Sequence, residues 1–439
     1  MGIFLWLLLV VAVIVWLTVK FKLHPFLALL FGALIMGFLG GLEPSSIIGI
    51  LAGGFGSTLT SIGIVIAAGA IIGEYLDRSG GAKILANKIL DVVGEKNSPL
   101  AMGMTGYIVS IPVFCDSGFI VLSALNKAIS KKAGVPLAVL AVALASGLYA
   151  THVFVPPTPG PLAAAATLGA DVGWVLILGL IVSIPVMGVA LVWATKGCKN
   201  FKIEYDLDEP AQDDDHIAPS FTLAVVPILM PILLIALKSI AELPSAPFGE
   251  AFLYDLSVFI GNPIIALLMG ASLSFLMVRS GNKIKHQWLE EALKKAGIII
   301  LITGAGGAFG AILRETNLGD FAAQFTEFGG LGMAIPFIIA AFLKTAQGSS
   351  TVAIITAAAI TAPLLEPLGF DTTMGKALVV LVIGAGSLTV SHVNDSYFWV
   401  VAKFSEMDTT TALRTHTIST LLMGFTGLIT VQILAWILL

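Results

Sequence analysis

Charged residues are scarce in this sequence: Asp, Glu, Lys and Arg make up only 11% of its 439 residues. A soluble globular domain carries about 25% charged residues, so the deficit excludes a water-soluble protein. Hydrophobic residues make up 57% of the chain, and the mean hydropathy is +0.99. We therefore expect the lipid bilayer to be its main surroundings.

Other absences narrow the function further. Two cysteines, Cys115 and Cys198, argue against a disulfide framework and are too few for a four-cysteine metal site. The phosphate-binding pattern Gly-x4-Gly-Lys-Ser/Thr does not occur, which argues against ATP-driven transport within this chain. A net charge of −4 gives no indication of a nucleic-acid partner. We expect no cofactor, no metal and no nucleic acid.

The sequence contains many long apolar segments. A helix needs about 20 apolar residues to cross a hydrocarbon core of about 30 Å. We predict an all-α integral membrane protein with about ten transmembrane helices, at residues 3–19, 25–42, 57–76, 136–155, 171–195, 221–240, 257–278, 296–313, 377–395 and 415–439.

Two further apolar regions, 99–130 and 331–366, are each split by polar residues near the middle. The arms before the breaks hold about 15 residues, or about 22 Å of helix, which reaches the midplane but does not cross. Re-entrant hairpins fit both regions, because irregular backbone at depth survives only where protein or a cavity shields it. With both hairpins re-entrant and the N-terminus outside, all but four of the 23 lysines and arginines fall on the cytoplasmic side, as the positive-inside rule expects.

Three landmarks recur between the two halves. Gly69, Asp116 and Thr151 correspond to Gly306, Gln347 and Ser391, at offsets of about 237, 231 and 240 residues. Five spans separate each landmark from its counterpart, an odd number, so the halves have opposite orientation. We predict an N-terminal inverted repeat at 1–200, a cytoplasmic linker at 201–220 and a C-terminal inverted repeat at 221–439, the arrangement typical of secondary transporters.

Polar residues at the two breaks are the candidate site. Placing a charged side chain at the bilayer centre costs about 2.5–3.5 kcal/mol of insertion free energy. The presence of charged residues there therefore requires a structural or functional explanation. The exposed N–H groups where each second arm begins suit a carboxylate. Capping of the arm is the plainer interpretation. We expect a ligand at Ser117 and Gly118 of the first break and at Gln347, Gly348, Ser349, Ser350 and Thr351 of the second.

Two further segments complete the predicted site: Thr151 and His152, followed by a proline-rich stretch, and Ser391, His392, Asn394 and Asp395. Lys344 is either a counter-ion for the substrate or the partner of Asp116 or Asp395. For proton coupling we favour Asp116, because loss of water favours the neutral acid. Asp395 with His392 is the second candidate, since a His–Asp pair on one helical face can share a proton.

The stretches Thr-His-x-Phe-x-Pro-Pro-x-Pro-Gly-Pro (151–161), Gly-Ser-x-Thr-Val-Ala (348–353) and Ser-His-Val-Asn-Asp-x-x-Phe-Trp (391–399) resemble the gluconate:proton symporter family. The resemblance covers nearly the whole chain. It implies import of gluconate or a related sugar or hydroxy acid with protons, a multi-pass location in the bacterial inner membrane and a homodimer. It also implies the two-hairpin, inverted-repeat architecture.

Alternatives remain open at this point. The nearest variants are a sodium-coupled carboxylate transporter and a D-serine transporter. A membrane enzyme acting on a lipid-linked substrate belongs to another class, and it would need a one-sided interfacial cluster of catalytic groups. Here the polar groups are central and symmetric, which favours a transporter over an enzyme.

Overall fold

The computed structural model describes residues 2–205, 219–242, 252–278, 282–316, 332–393 and 395–439. Within these ranges every regular element is a helix. Lipid offers the backbone no hydrogen-bond partners, and a helix pairs its own amide and carbonyl groups, so apolar runs in a membrane fold as helices. The prediction of an all-α protein is confirmed.

Helices of the first 200 residues follow the predicted apolar runs. They are α1 (Gly2–Val19), α2 (Pro25–Leu39), α3 (Pro44–Arg78), α4 (Gly81–Val93), α5 (Ser98–Val109), α6 (Cys115–Ala133), α7 (Leu137–Phe154), α8 (Pro159–Leu168) and α9 (Val172–Gly197).

The remaining helices lie in the second half of the chain. They are α10 (Phe221–Ala241), α11 (Phe252–Ile260), α12 (Pro263–Ser274), α13 (Asn282–Arg314), α14 (Ala334–Gln347), α15 (Ser350–Thr361), α16 (Thr373–Leu388), α17 (Ser396–Phe404) and α18 (Thr409–Leu438). A π-helical segment, Leu413–Thr417, interrupts the first part of α18.

Five helical stretches in the described ranges are long and apolar enough to cross a membrane: Leu137–Leu168, Val172–Gly197, Phe221–Ala241, Lys283–Arg314 and Thr409–Leu438. Two bent pairs raise the number to seven if each pair is one span. Several shorter apolar helices, α14 and α15 among them, accompany these. The chain is a multi-span helical protein, and the number ten stays a prediction.

Three predicted spans differ from the helices observed. The run 257–278 is broken, because Asn262 caps a new helix by accepting a hydrogen bond from the amide of Ile264 at 3.0 Å, and the chain bends by 63° there. The run 377–395 stops being helical at Leu388, and among the described residues that follow, the next helical one is Ser396. The run 57–76 is the second part of a longer helix, α3.

Helices α7 and α16 form the centre of the protein. Every residue of α7 is buried, and so is the whole stretch 377–388 of α16. Small residues permit this: Gly147 lies against the carbonyl of Gly103, and Gly384 lies against the carbonyl of Val153, where an added Cβ would have no room. Close approach through glycine is typical of helix packing in membranes. Both central helices end beside the candidate site.

Candidate functional site

The first helix break separates α5 from α6. Helix α5 ends at Val109, residues 110–114 are non-helical, and α6 begins at Cys115. Asp116 lies in the first turn of α6, where unpaired N–H groups favour a negative charge. Its Oδ1 atom is buried and has no hydrogen-bond partner among the described residues, and its Oδ2 atom accepts only a weak bond from the Cys115 thiol at 4.0 Å. This carboxylate therefore has unused acceptor capacity.

The two neighbours of Asp116 in the prediction differ in their surroundings. Ser117 is half-buried and lines a cavity of about 10 Å³ with Glu74 and Asp77, which is room for about one water molecule. Gly118 is buried against Leu148 and packs within the protein.

The second helix break is tighter. Helix α14 ends at Gln347, Gly348 has a φ of +76°, and Ser349 caps α15 by accepting a hydrogen bond from the amide of Val352 at 3.3 Å. The capping interpretation of Ser349 is thus confirmed, whereas contact of the break with a ligand stays a prediction. Ser350 is buried, and the next residue in the first turn of α15, Thr351, is half-buried.

Gln347 is the unusual residue at this break. Both polar atoms of its side-chain amide are buried, and neither has a hydrogen-bond partner within the described ranges. Leaving a buried donor or acceptor unpaired costs about 1–3 kcal/mol. Such a group requires an explanation, and a polar ligand that pairs with it supplies one.

Lys344 lies one turn before the break and is buried. Its Nζ atom is 2.5 Å from Oδ2 of Asp395, and the side chains of both residues are at most 3% exposed. The same Nζ lies 3.4 Å from the carbonyl of Gly348 and 5.7 Å from the centre of the Tyr149 ring. Of the partners that the sequence left open for Lys344, the structure places Asp395 against it.

Both carboxylate oxygens of Asp395 make polar contacts. Its Oδ2 also accepts a hydrogen bond from the hydroxyl of Ser391, and its Oδ1 accepts one from the amide of Tyr397 at 3.0 Å, so that it caps α17. Ser391 is fixed in turn by two residues of α18, since its amide donates to Thr420 and its carbonyl accepts from Thr417. Both oxygens of this carboxylate therefore have partners in this arrangement.

The expected His–Asp pair on one helical face is wrong. Helix α16 ends at Leu388, Val390 has a φ of +59°, and Asp395 is the N-cap of a new helix, so His392 and Asp395 share no helical face. His392 is half-buried, and its Nε2 lies 3.2 Å from the carbonyl of Thr345. Its predicted neighbour Asn394 lies outside the described residues.

Thr151 and His152 lie in the last turn of α7. The hydroxyl of Thr151 donates to the carbonyl of Tyr107 at 3.0 Å, which joins α7 to α5. His152 is 5% exposed, and its Nδ1 has no partner among the described residues. Its ring lies 6.1 Å from that of Phe114 and borders a cavity of about 10 Å³ that the first break also lines.

These groups form one electrostatic unit. Asp116 and His152 both interact with the charges of Lys344 and Asp395. The two helix breaks and the ends of α7 and α16 thus meet around one buried ion pair. No group of three or more His, Cys, Asp or Glu side chains that could hold a metal ion occurs in the part of the chain that the structure describes.

Sequence reasoning missed three members of the site. Tyr149 lies under Lys344, Tyr397 packs on Tyr149 with ring centres 5.0 Å apart, and His416 packs on Tyr397 at 5.5 Å. Tyr149 and Tyr397 are next to segments that the prediction did single out. No sequence pattern marked His416 as a candidate, because it occurs at the edge of a long apolar run and has no counterpart in the repeat.

Comparison with known proteins gives a consistent result. The family model described as GntP family permease matches residues 2–437. A relative described as an uncharacterized permease in Haemophilus influenzae is 38% identical, over 90% of this chain and 84% of its own. A gluconate permease from Pseudomonas aeruginosa is 32% identical, over 95% and 94%. The crystal structure of the YdaH transporter from Alcanivorax borkumensis has a similar fold, with a TM-score of 0.66 at 14% identity over 94% of this chain and 99% of that one.

Proposed function

Because this chain belongs to the GntP permease family, we propose that it imports gluconate or a related sugar or hydroxy acid by proton symport. The family consists of permeases, so the chain is a transporter and not an enzyme. It is a multi-pass protein of the bacterial inner membrane. The substrate is a small anion, and the identity of the acid is part of the proposal.

The observation that supports an anionic, hydroxylated substrate is that Lys344 and Gln347 both lie in the last turn of α14, at one helix break. Lys344 supplies a buried cation, and Gln347 supplies an amide with both polar atoms unpaired. A sugar acid offers an ionised carboxylate for the ammonium group and hydroxyls for the amide. The first turn of α15, which begins at Ser350, adds backbone N–H groups at the same helix break.

The architecture is proposed as two inverted repeats, 1–200 and 221–439, with a linker at 201–220 and re-entrant hairpins at 99–130 and 331–366. Helices α5 and α14 support this, because their 12 and 14 residues correspond to about 18 and 21 Å, too short to cross the membrane. We further propose ten transmembrane helices, cytoplasmic segments at 83–96 and 201–216, and a homodimer. Labelling of a cysteine at position 206 from the outside would contradict this topology.

Proton coupling is proposed at Asp116. Its unpaired Oδ1 can carry a proton without breaking an existing bond, whereas Asp395 is fully paired. Protonation removes a negative charge close to the incoming anion, so proton and substrate favour each other's binding. Sodium coupling at the same carboxylate is the alternative that an experiment has to distinguish.

Proteoliposomes test the proposal directly. We expect labelled gluconate to exchange in counterflow, and to accumulate when the outside is acidified, with or without sodium. Accumulation that requires a sodium gradient and ignores pH would contradict proton symport. Competition with other sugar acids, hydroxy acids and D-serine then identifies the substrate, and counterflow of D-serine alone would replace the sugar-acid assignment.

A further inference from the structure

His416 is a buried titratable residue that the proposed transport cycle does not yet use. Its side chain is 0% exposed, and neither ring nitrogen has a hydrogen-bond partner among the described residues. A neutral imidazole carries one N–H donor and one acceptor, and burial of both without partners is costly. Proteins retain few such groups, so this histidine requires a reason.

The backbone around His416 is unusual as well. It lies in the π-helical segment Leu413–Thr417, and Trp193 of α9 donates its indole N–H to the carbonyl of Thr415 in that segment at 2.9 Å. Single π-helical turns inside longer helices occur frequently at functional sites. Two independent features, the unpaired ring and the π-helical turn, thus coincide at one residue.

His416 is connected to the ion pair through aromatic rings. It packs edge-on against Tyr397, and in a tilted arrangement against Phe398 of α17 with ring centres 6.5 Å apart. Tyr397 in turn packs on Tyr149, which lies under Lys344. The charges that act on His416 from the described residues are those of Asp395 and Lys344. Arg414, the nearest charge on its own helix, is exposed.

We propose that His416 binds a transported proton and replaces Lys344 as the partner of Asp395 when the substrate carboxylate takes Lys344. The argument rests on the proposed function and concerns charge. With Asp116 protonated and without substrate, the buried groups are one ammonium, one carboxylate and neutral side chains that include His416, which sum to zero. With the anion bound, the imidazole must become imidazolium for the sum to stay zero, because an unpaired buried charge is strongly destabilising.

No covalent bond of the substrate changes in this step. One proton from water adds to a ring nitrogen of His416, and the imidazolium N–H becomes the donor that Asp395 loses when Lys344 turns to the substrate. The proton and the anion therefore enter the site together and leave it together. His416 is a proton site in addition to Asp116, and each can be removed separately.

Counterflow in proteoliposomes with the full-length chain tests the inference, measured as the apparent affinity for gluconate between pH 6 and pH 8. For an Asp116→Asn background we expect affinity to rise as pH falls, because protonated His416 favours the anion. Adding His416→Gln should lower the affinity about tenfold and abolish the remaining pH dependence. His286→Gln, at an exposed histidine of α13, is the matched control and should change neither.

A second variant separates function from folding. His416→Phe keeps the ring packing and removes two unpaired nitrogens, so its thermal stability should equal or exceed that of the wild type. Proton uptake by the solubilised wild-type protein on binding gluconate needs no variant at all. Unchanged pH dependence in both His416 variants, or binding without proton uptake, would overturn the inference. Absence of pH-driven accumulation in the wild type would instead contradict the proposed function itself.

Discussion

The two helix breaks are built for different tasks. The first uses five non-helical residues and presents Asp116, a carboxylate with an unpaired oxygen and no salt bridge among the described residues. The second uses two residues and presents Gln347, a neutral amide with both polar atoms unpaired, beside a lysine that Asp395 already neutralises. A lone carboxylate is suited to binding and releasing a proton, whereas an unpaired amide is suited to recognising hydroxyls. We therefore propose coupling at the first break and recognition at the second.

Removing Lys344 should have the largest effect, because it destroys the pair on which both breaks converge. Lys344→Ala leaves Asp395 buried and unpaired, which costs about 3–5 kcal/mol of stability. We expect this variant to lose all uptake and to melt at a clearly lower temperature. Scanning fluorimetry of the purified protein and counterflow of gluconate measure the two losses.

The double variant Lys344→Met/Asp395→Leu tests whether the ion pair between Lys344 and Asp395 only stabilises the fold or is also needed for transport. Apolar replacement of both members of a buried ion pair is often neutral for stability. We therefore expect the melting temperature to recover while uptake stays absent. Recovered uptake in the double variant would show that Lys344 does not bind the substrate.

The next largest effect concerns the first break. Asp116→Asn imitates the protonated acid and breaks no salt bridge within the described residues, so the fold should tolerate it. Accumulation driven by a pH gradient should fall, because the proton site at Asp116 is lost and the one at His416 remains, while exchange of labelled gluconate in counterflow persists. Comparison of the two assays on the same proteoliposomes provides the measurement. Intact pH-driven accumulation would remove Asp116 from the coupling step.

A smaller effect is expected at the second break. Gln347→Leu removes two unpaired buried atoms, so the protein should gain up to about 1–3 kcal/mol of stability. The same change removes the proposed partner of the substrate hydroxyls, and the apparent transport constant should rise severalfold. Unaltered kinetics in a stabilised variant would show that Gln347 does not touch the substrate.

The sequence predicted the helix breaks better than the contacts between them. The proline-rich stretch after Phe154 and the glycine after Gln347 are local signals, and both helices end where those signals occur. The partner of Lys344 was left open because it lies 51 residues away, at the start of another helix, and no local pattern encodes such a pairing.

The same limit explains the two errors at the site. The predicted span 377–395 continued α16 as far as Asp395. In the structure α16 ends at Leu388 and Asp395 caps α17, a contact that only the folded chain shows. His416 was missed because its isolation depends on what surrounds it in space, and an apolar run gives no reason to single out one histidine. Sequence thus identified the elements of the site, and packing determined its charge pairs.

The smallest expected effect distinguishes capping from ligand binding at Ser349. Ser349 caps α15 through its hydroxyl. Replacement of a capping serine by alanine costs about 1 kcal/mol of stability, and replacement by glycine only a few tenths.

If the hydroxyl of Ser349 also binds the substrate carboxylate, Ser349→Ala and Ser349→Gly should raise the apparent transport constant equally, by severalfold, because both lose the same hydrogen bond to a charged group. If the hydroxyl only caps, the kinetic change should follow stability, with the alanine variant clearly worse than the glycine variant. Counterflow kinetics and melting temperatures of the two variants, measured side by side, separate these outcomes. Wild-type transport constants in both variants would move the carboxylate away from Ser349 and leave Lys344 as its anchor.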